Sequence, residues 1–87
     1  DYYAAASYYL AEGKDADQAL EWINKHLEME DPKFWTLLAK SKIQAEAGDL
    51  KGAIKTAEQS KKMAMDAGYD TYVKRNEENI AMWKNKM

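Results

Sequence analysis

The chain has 87 residues, 46% of them hydrophobic and 32% charged, with a net charge of −2, one proline, four glycines and no cysteine. A chain of that length makes one domain at most and buries only about 60 to 65 per cent of the surface its unfolded form exposes. The composition excludes a disordered tail, a disulfide framework and a thiolate metal site, and no apolar run is long enough to cross a bilayer. Apolar residues recur at helical spacing throughout, and no useful stretch alternates with period two, so the chain is expected to be all-α with five helices.

The first helix is expected over about Tyr2 to Glu12, stopping at Gly13, which suits the left-handed position just past a helix. It opens directly on Asp1-Tyr2-Tyr3-Ala4-Ala5-Ala6, without a convincing cap, and no basic segment followed by an apolar stretch precedes it. An excised piece of a longer protein, with any targeting signal removed, is therefore expected. Asp15 is expected to cap the second helix, with Gln18 returning a bond to the cap, and the buried face is Ala19, Leu20, Ile23 and Leu27, flanked by Trp22 and His26. Asp31-Pro32 should end that helix and start the third, because proline has no N–H to lose at the first helical position. The third runs to about Ala47, where Gly48 closes it. It is apolar on two sides, Phe34, Leu37, Ser41 and Gln44 on one and Trp35, Leu38, Ala39 and Ile43 on the other, which predicts neighbours on both. Asp49 caps the fourth, whose inward positions are expected to be Leu50, Ala53, Ile54, Ala57, Met63 or Ala64, and Ala67. Gly68 ends it, and the last helix starts near Asp70 with Tyr72, Val73, Ile80 and Trp83 on one side.

Charge is unevenly spread. Residues 1–31 carry eight acids against Lys14 and Lys25, a net of −6, which leaves +4 for the rest of a chain whose total is −2. Both sets read as solvated helix faces, and the asymmetry also favours head-to-tail association between copies.

Displacing the sequence by 34 residues aligns Ala5 with Ala39, Ser7 with Ser41, Ala11 with Ala45, Glu12 with Glu46, Asp15 with Asp49, Ala19 with Ala53, Leu20 with Ile54 and Met29 with Met63. Small residues at Ser7, Ser41, Ala19 and Ala53 are expected where antiparallel helices approach closely. On these residues the chain resembles the tetratricopeptide-repeat family over roughly residues 3–67. The resemblance implies an α-α superhelix of two hairpins, residues 1–31 and 32–67, closed by a capping helix over 69–87 within a single domain. It departs from the family at Lys40, which stands at an apolar position, at His26 and Ser60, where the family has alanine, and at Pro32, which falls one position late. A narrower resemblance rests on Ala6-Ser7-Tyr8-Tyr9-Leu10, Asp15 with Ala19-Leu20 and Trp22, Phe34-Trp35 with Leu37, Gly48-Asp49 with Ala53-Ile54, and a tail of Tyr72, Asn76, Ile80 and Trp83. These look like the C-terminal helical region of an uncharacterised family of exported bacterial proteins with an N-terminal β-sandwich. That resemblance implies an exported or periplasmic parent.

Candidate chemistry is sparse. His26 is the only histidine, with Glu30 one turn on as its one obvious helper, so a half-buried imidazole near Trp22 with a local hydrogen bond is expected instead of a metal site. Glu77-Glu78 and Glu28 with Glu30 point in different directions on a helix and form no facing carboxylate pair. Ser7, Ser41 and Ser60 lack a nucleophile motif, and the glycines are dispersed at helix ends or, at Gly52, inside the fourth helix. Lys51, Lys55 and Lys62 share a side of that helix, but Glu58 precedes Lys62 by four residues in a salt-bridge pattern, and Arg75 is the only arginine, so nucleic acid is not an expected partner. Catalysis, a cofactor and membrane insertion are likewise not expected. In tetratricopeptide repeats the first helix of each pair lines the concave face. The resemblance therefore implies that Tyr8, Glu12, Trp35, Leu38, Lys42 and Asn76 form a shallow groove for a protein or peptide, or for another domain of the parent chain. The alternative is a structural module that packs on its parent or dimerises, with no ligand of its own.

Overall fold

In the computed structural model, which describes all residues Asp1–Met87, five helices follow one another: α1 (Tyr2–Glu12), α2 (Ala16–Met29), α3 (Phe34–Glu46), α4 (Leu50–Ala67) and α5 (Asp70–Asn85). No helix is long and apolar enough to cross a membrane. Consecutive helices pack on each other, α3 also touches α1 and α5, and α2 does not touch α4. The odd helices thus lie side by side in one row, with α2 and α4 against it as separate struts. The shortest dimension of the globule is 19 Å, about two helix diameters, which fits two layers.

The helix ends follow local chemistry. Asp15 accepts hydrogen bonds from the backbone N–H of Asp17 (3.0 Å) and Gln18 (3.2 Å), and Asp49 accepts one from Gly52 (2.9 Å). Two details differ from the sequence expectation. Asp1 does cap α1, accepting from the Ala4 N–H at 2.7 Å, and Gln18 returns nothing to Asp15 because its amide turns to the Glu21 carboxylate, a charged acceptor 3.5 Å away. The reversals come at Gly13, Gly48 and Gly68, all with positive φ. At Gly68, φ 79°, the Tyr69 N–H reaches back to the Ala64 carbonyl at 2.9 Å and closes α4. A Cβ there meets no neighbour, so the strain of a left-handed L-residue is the whole effect, and Gly68→Ala is expected to lower stability by about 1 kcal/mol in urea denaturation.

The start of α3 corrects the sequence reading. Pro32 is not the first helical residue, nor does Asp31 cap; the link stays open until Lys33, which has no side-chain cap bond, and α3 begins at Phe34. Tertiary packing sets that boundary. Phe34 is buried with its ring 4.8 Å from Tyr69 and 4.9 Å from Tyr72, and its carbonyl accepts the Ser60 hydroxyl of α4 at 2.7 Å.

Two apolar clusters hold the layers together. Ala6, Ala19, Ile23 and Ile43 join α1, α2 and α3; Ala53, Ala57, Ile80 and Trp83 join α4 and α5. Ala19 and Ala53, equivalent in the repeat register, are 1% and 0% exposed, so both are wedged between helices as their size requires. Ser41 is fully buried and bonds back to the Leu38 carbonyl at 2.7 Å, but its counterpart Ser7 is only half-buried, because α1 has a neighbouring row on one side and α3 on two. Ala67 is exposed, not inward. Ser60 is already level with the first turn of α3, so Ala67, about two turns further on, projects past it. The expected Glu58 and Lys62 pair does not form; the neighbouring Lys61 instead bridges to Glu77 of α5 at 3.2 Å.

Candidate functional site

Because α1 and α2 run antiparallel through a tight turn, and a short link returns the chain into α3, the start of α1, the end of α2 and the start of α3 come together at one end of the molecule. They leave an open groove of about 1080 Å³. Tyr2, Tyr3 and Ala5 come from α1, Trp22, His26 and Met29 from α2, Glu30, Asp31 and Lys33 from the link, and Trp35 and Thr36 from α3, with Asp1 beside them.

The walls are aromatic and partly open. Tyr3 lies against His26, ring centres 5.4 Å apart and tilted 34°, and the imidazole Nε2 is 3.3 Å from the Glu30 carboxylate. His26 is therefore half-buried with a local polar partner, as its lone position implied, but its ring neighbour is Tyr3; Trp22 packs edge-on to Tyr9 at 4.7 Å instead. Trp35 is 42% exposed and stands edge-on to Phe34 at 5.0 Å. Met29, at the end of α2, is 72% exposed. Thr36 is 1% exposed, and its hydroxyl makes no hydrogen bond. Three carboxylates, Asp1, Glu30 and Asp31, face one lysine, Lys33, among the lining residues.

Of the six residues placed on a recognition face by the repeat resemblance, only Trp35 lines this groove. Tyr8 is exposed further along α1, its ring 4.8 Å from the Lys14 ammonium, and Glu12 and Lys42 are exposed side chains of α1 and α3. Leu38 and Asn76 are corrections, for both are buried, at 9% and 0% exposure, and present no recognition surface. Leu38 is covered because α3 is flanked on both sides. Asn76 is drawn inward by α4: its amide donates to the Ser60 hydroxyl at 2.8 Å and to the Tyr72 carbonyl at 3.1 Å. Ser60 in turn donates to the Phe34 carbonyl, so a short polar chain ties α5 through α4 to α3. The serine that departs from the family's alanine thus has a structural partner.

Helical periodicity did not point to Tyr2, Met29, Asp31 or Thr36, and it singles out Glu30 only as the neighbour of His26 one turn on. Their grouping comes from three helix ends meeting in space, and the one usable signal was a run of apolar and acidic residues at the close of α2. No group of three or more His, Cys, Asp or Glu side chains converges as metal ligands would. Comparisons with protein-family models, with curated proteins and with solved structures found no significant match.

Proposed function

We propose that the chain is a non-catalytic, tetratricopeptide-like scaffold that holds a peptide or a segment of another domain. The observation that carries this reading is the groove at the first hairpin, a concavity of about 1080 Å³ with Trp35, Tyr2 and Met29 all exposed along it. Large exposed aromatics beside a concave surface are what interfaces use as anchors. The repeat reading is supported by the matched burial of Ala19 and Ala53 and by the single row of α1, α3 and α5, the row that would line a concave face.

The test is selection from a random peptide display library against the immobilised chain. Replacing Tyr2, Met29 and Trp35 together by alanine is expected to leave the helical circular-dichroism spectrum intact, since all three are exposed side chains of the groove. Peptide affinity should fall by about tenfold or more, the usual effect of removing an aromatic anchor. Loss of the Trp35 contact with Phe34 should cost about 0.5–1.5 kcal/mol, a modest drop in Tm. Unchanged affinity for every selected peptide rejects this surface. A second reading, a structural module that dimerises, is favoured by the exposed Met65, Tyr69, Met82 and Met87. Sedimentation showing a dimer whose interface buries them, with no peptide selected, would establish it.

A further inference from the structure

We infer that the groove takes a basic peptide segment, an arginine or lysine side chain lying over the face of Trp35 with Glu30 and Asp31 balancing its charge. This rests on the scaffold reading and states the partner's chemistry. Exposed rings of this chain already attract cations, the Lys25 ammonium standing 5.6 Å from the Tyr2 ring centre and Lys14 4.8 Å from Tyr8, and the half-buried Tyr72 has the Arg75 guanidinium at 5.4 Å. Indole is the strongest of these cation acceptors, yet no lysine or arginine of the chain stands over Trp35. Lys33, the groove's own lysine, stands over no ring.

Charge and polarity point the same way. Carboxylates outnumber cations three to two among the lining residues, counting the Asp1 α-amino group with Lys33, and the side chains of the first 31 residues sum to −6, so the local field draws in positive groups. Thr36 supplies an independent sign of a missing polar partner. Its side chain is 99% buried, given its 1% exposure, it lines the groove, and its hydroxyl is unpaired, which is costly unless something donates to it or accepts from it. Because the hydroxyl oxygen itself has less than 1 Å² of exposed surface, a guanidinium, an ammonium or a peptide N–H in the groove reaches it only with a small shift of the Thr36 side chain or of its cover. Met29 offers a flexible apolar surface for the alkyl stem behind the charge.

The experiment titrates the full chain, ¹⁵N-labelled, with short acetylated Gly/Ser peptides bearing paired arginines, paired lysines or paired glutamates at the same positions. The arginine peptide is expected to shift the Trp35 indole and Thr36 amide signals and to bind about tenfold or more tighter than the glutamate peptide. Its affinity should weaken as salt is raised through the physiological range. Trp35→Leu, which keeps an apolar contact with Phe34 but removes the π face, and the exposed pair Glu30→Gln with Asp31→Asn, should each weaken arginine-peptide binding by about tenfold. Equal binding of all three peptides overturns the charge assignment and leaves the scaffold reading standing. Failure of basic peptides while library-selected peptides still bind does the same, and failure of every peptide removes both. Sedimentation velocity showing that the chain self-associates through Trp35 would make a second copy the occupant and overturn the inference.

Discussion

Trp83→Ala is expected to cost about 3–5 kcal/mol, the range for removing a buried tryptophan. Trp83 is 3% exposed on α5 and packs in a cluster with Ala53, Ala57 and Ile80, with Ala45, Leu50 and Ile54 at its edge. The alanine methyl groups of α4 cannot extend into the vacated space, so a cavity remains beside them. An 87-residue domain has a total stability of roughly 4–13 kcal/mol, so the variant loses a large fraction of it. Thermal melts by circular dichroism should show Tm lowered by about 15 °C or more, or α5 unfolding in a separate, earlier transition. A fall of only a few degrees would mean that α5 is not docked on α4 as described.

Ser60→Ala should cost about 1–3 kcal/mol, although it deletes a single oxygen at a position where a helical repeat tolerates alanine well. The hydroxyl is buried between two partners, donating to the Phe34 carbonyl and accepting from the Asn76 amide. Its loss leaves the interior donor of Asn76 short of a partner. Asn76→Leu, of similar volume, should cost less. It removes both that donor and an Oδ1 that is buried without a hydrogen bond, and it leaves the Ser60 bond to Phe34 in place. The double variant should show less than the sum of the two single effects, with a coupling of about 0.5 kcal/mol or more in urea unfolding. Ser60→Ala within about 0.5 kcal/mol of the parent would show the polar chain to be energetically idle.

The contrast between these two sites shows what the sequence made legible. Trp83 was expected inside from its spacing with Ile80, and it is there. Asn76 lies on the same helix, in the same register, and was expected on a recognition face, yet it is the most deeply buried polar residue of α5. Its spacing from Ile80 and Trp83 places it on the buried face, but a polar side chain is kept there only by a partner from another helix, and that partner, Ser60, is sixteen residues away in the chain. Lys61 shows the same limit in reverse, since its ion pair crosses to Glu77 and is not the within-helix pair that spacing suggested for its neighbour.

Helix number, the capping aspartates Asp15 and Asp49, the reversals at Gly13, Gly48 and Gly68, and the close approach at Ala19 and Ala53 were determined by the sequence alone. Each depends on chemistry within a few residues: a carboxylate reaching an unpaired N–H one turn away, a backbone position that disfavours a Cβ, or a methyl side chain small enough for two helices to touch. Only the tertiary structure decided where α3 begins, which ring lies against His26, that Asn76 finds a partner in the interior, and that Trp35 opens into a groove with Glu30, Asp31 and Thr36. Those outcomes are set by groups from different helices competing for the same space and the same hydrogen bonds, and one-dimensional spacing carries no record of which of them meet.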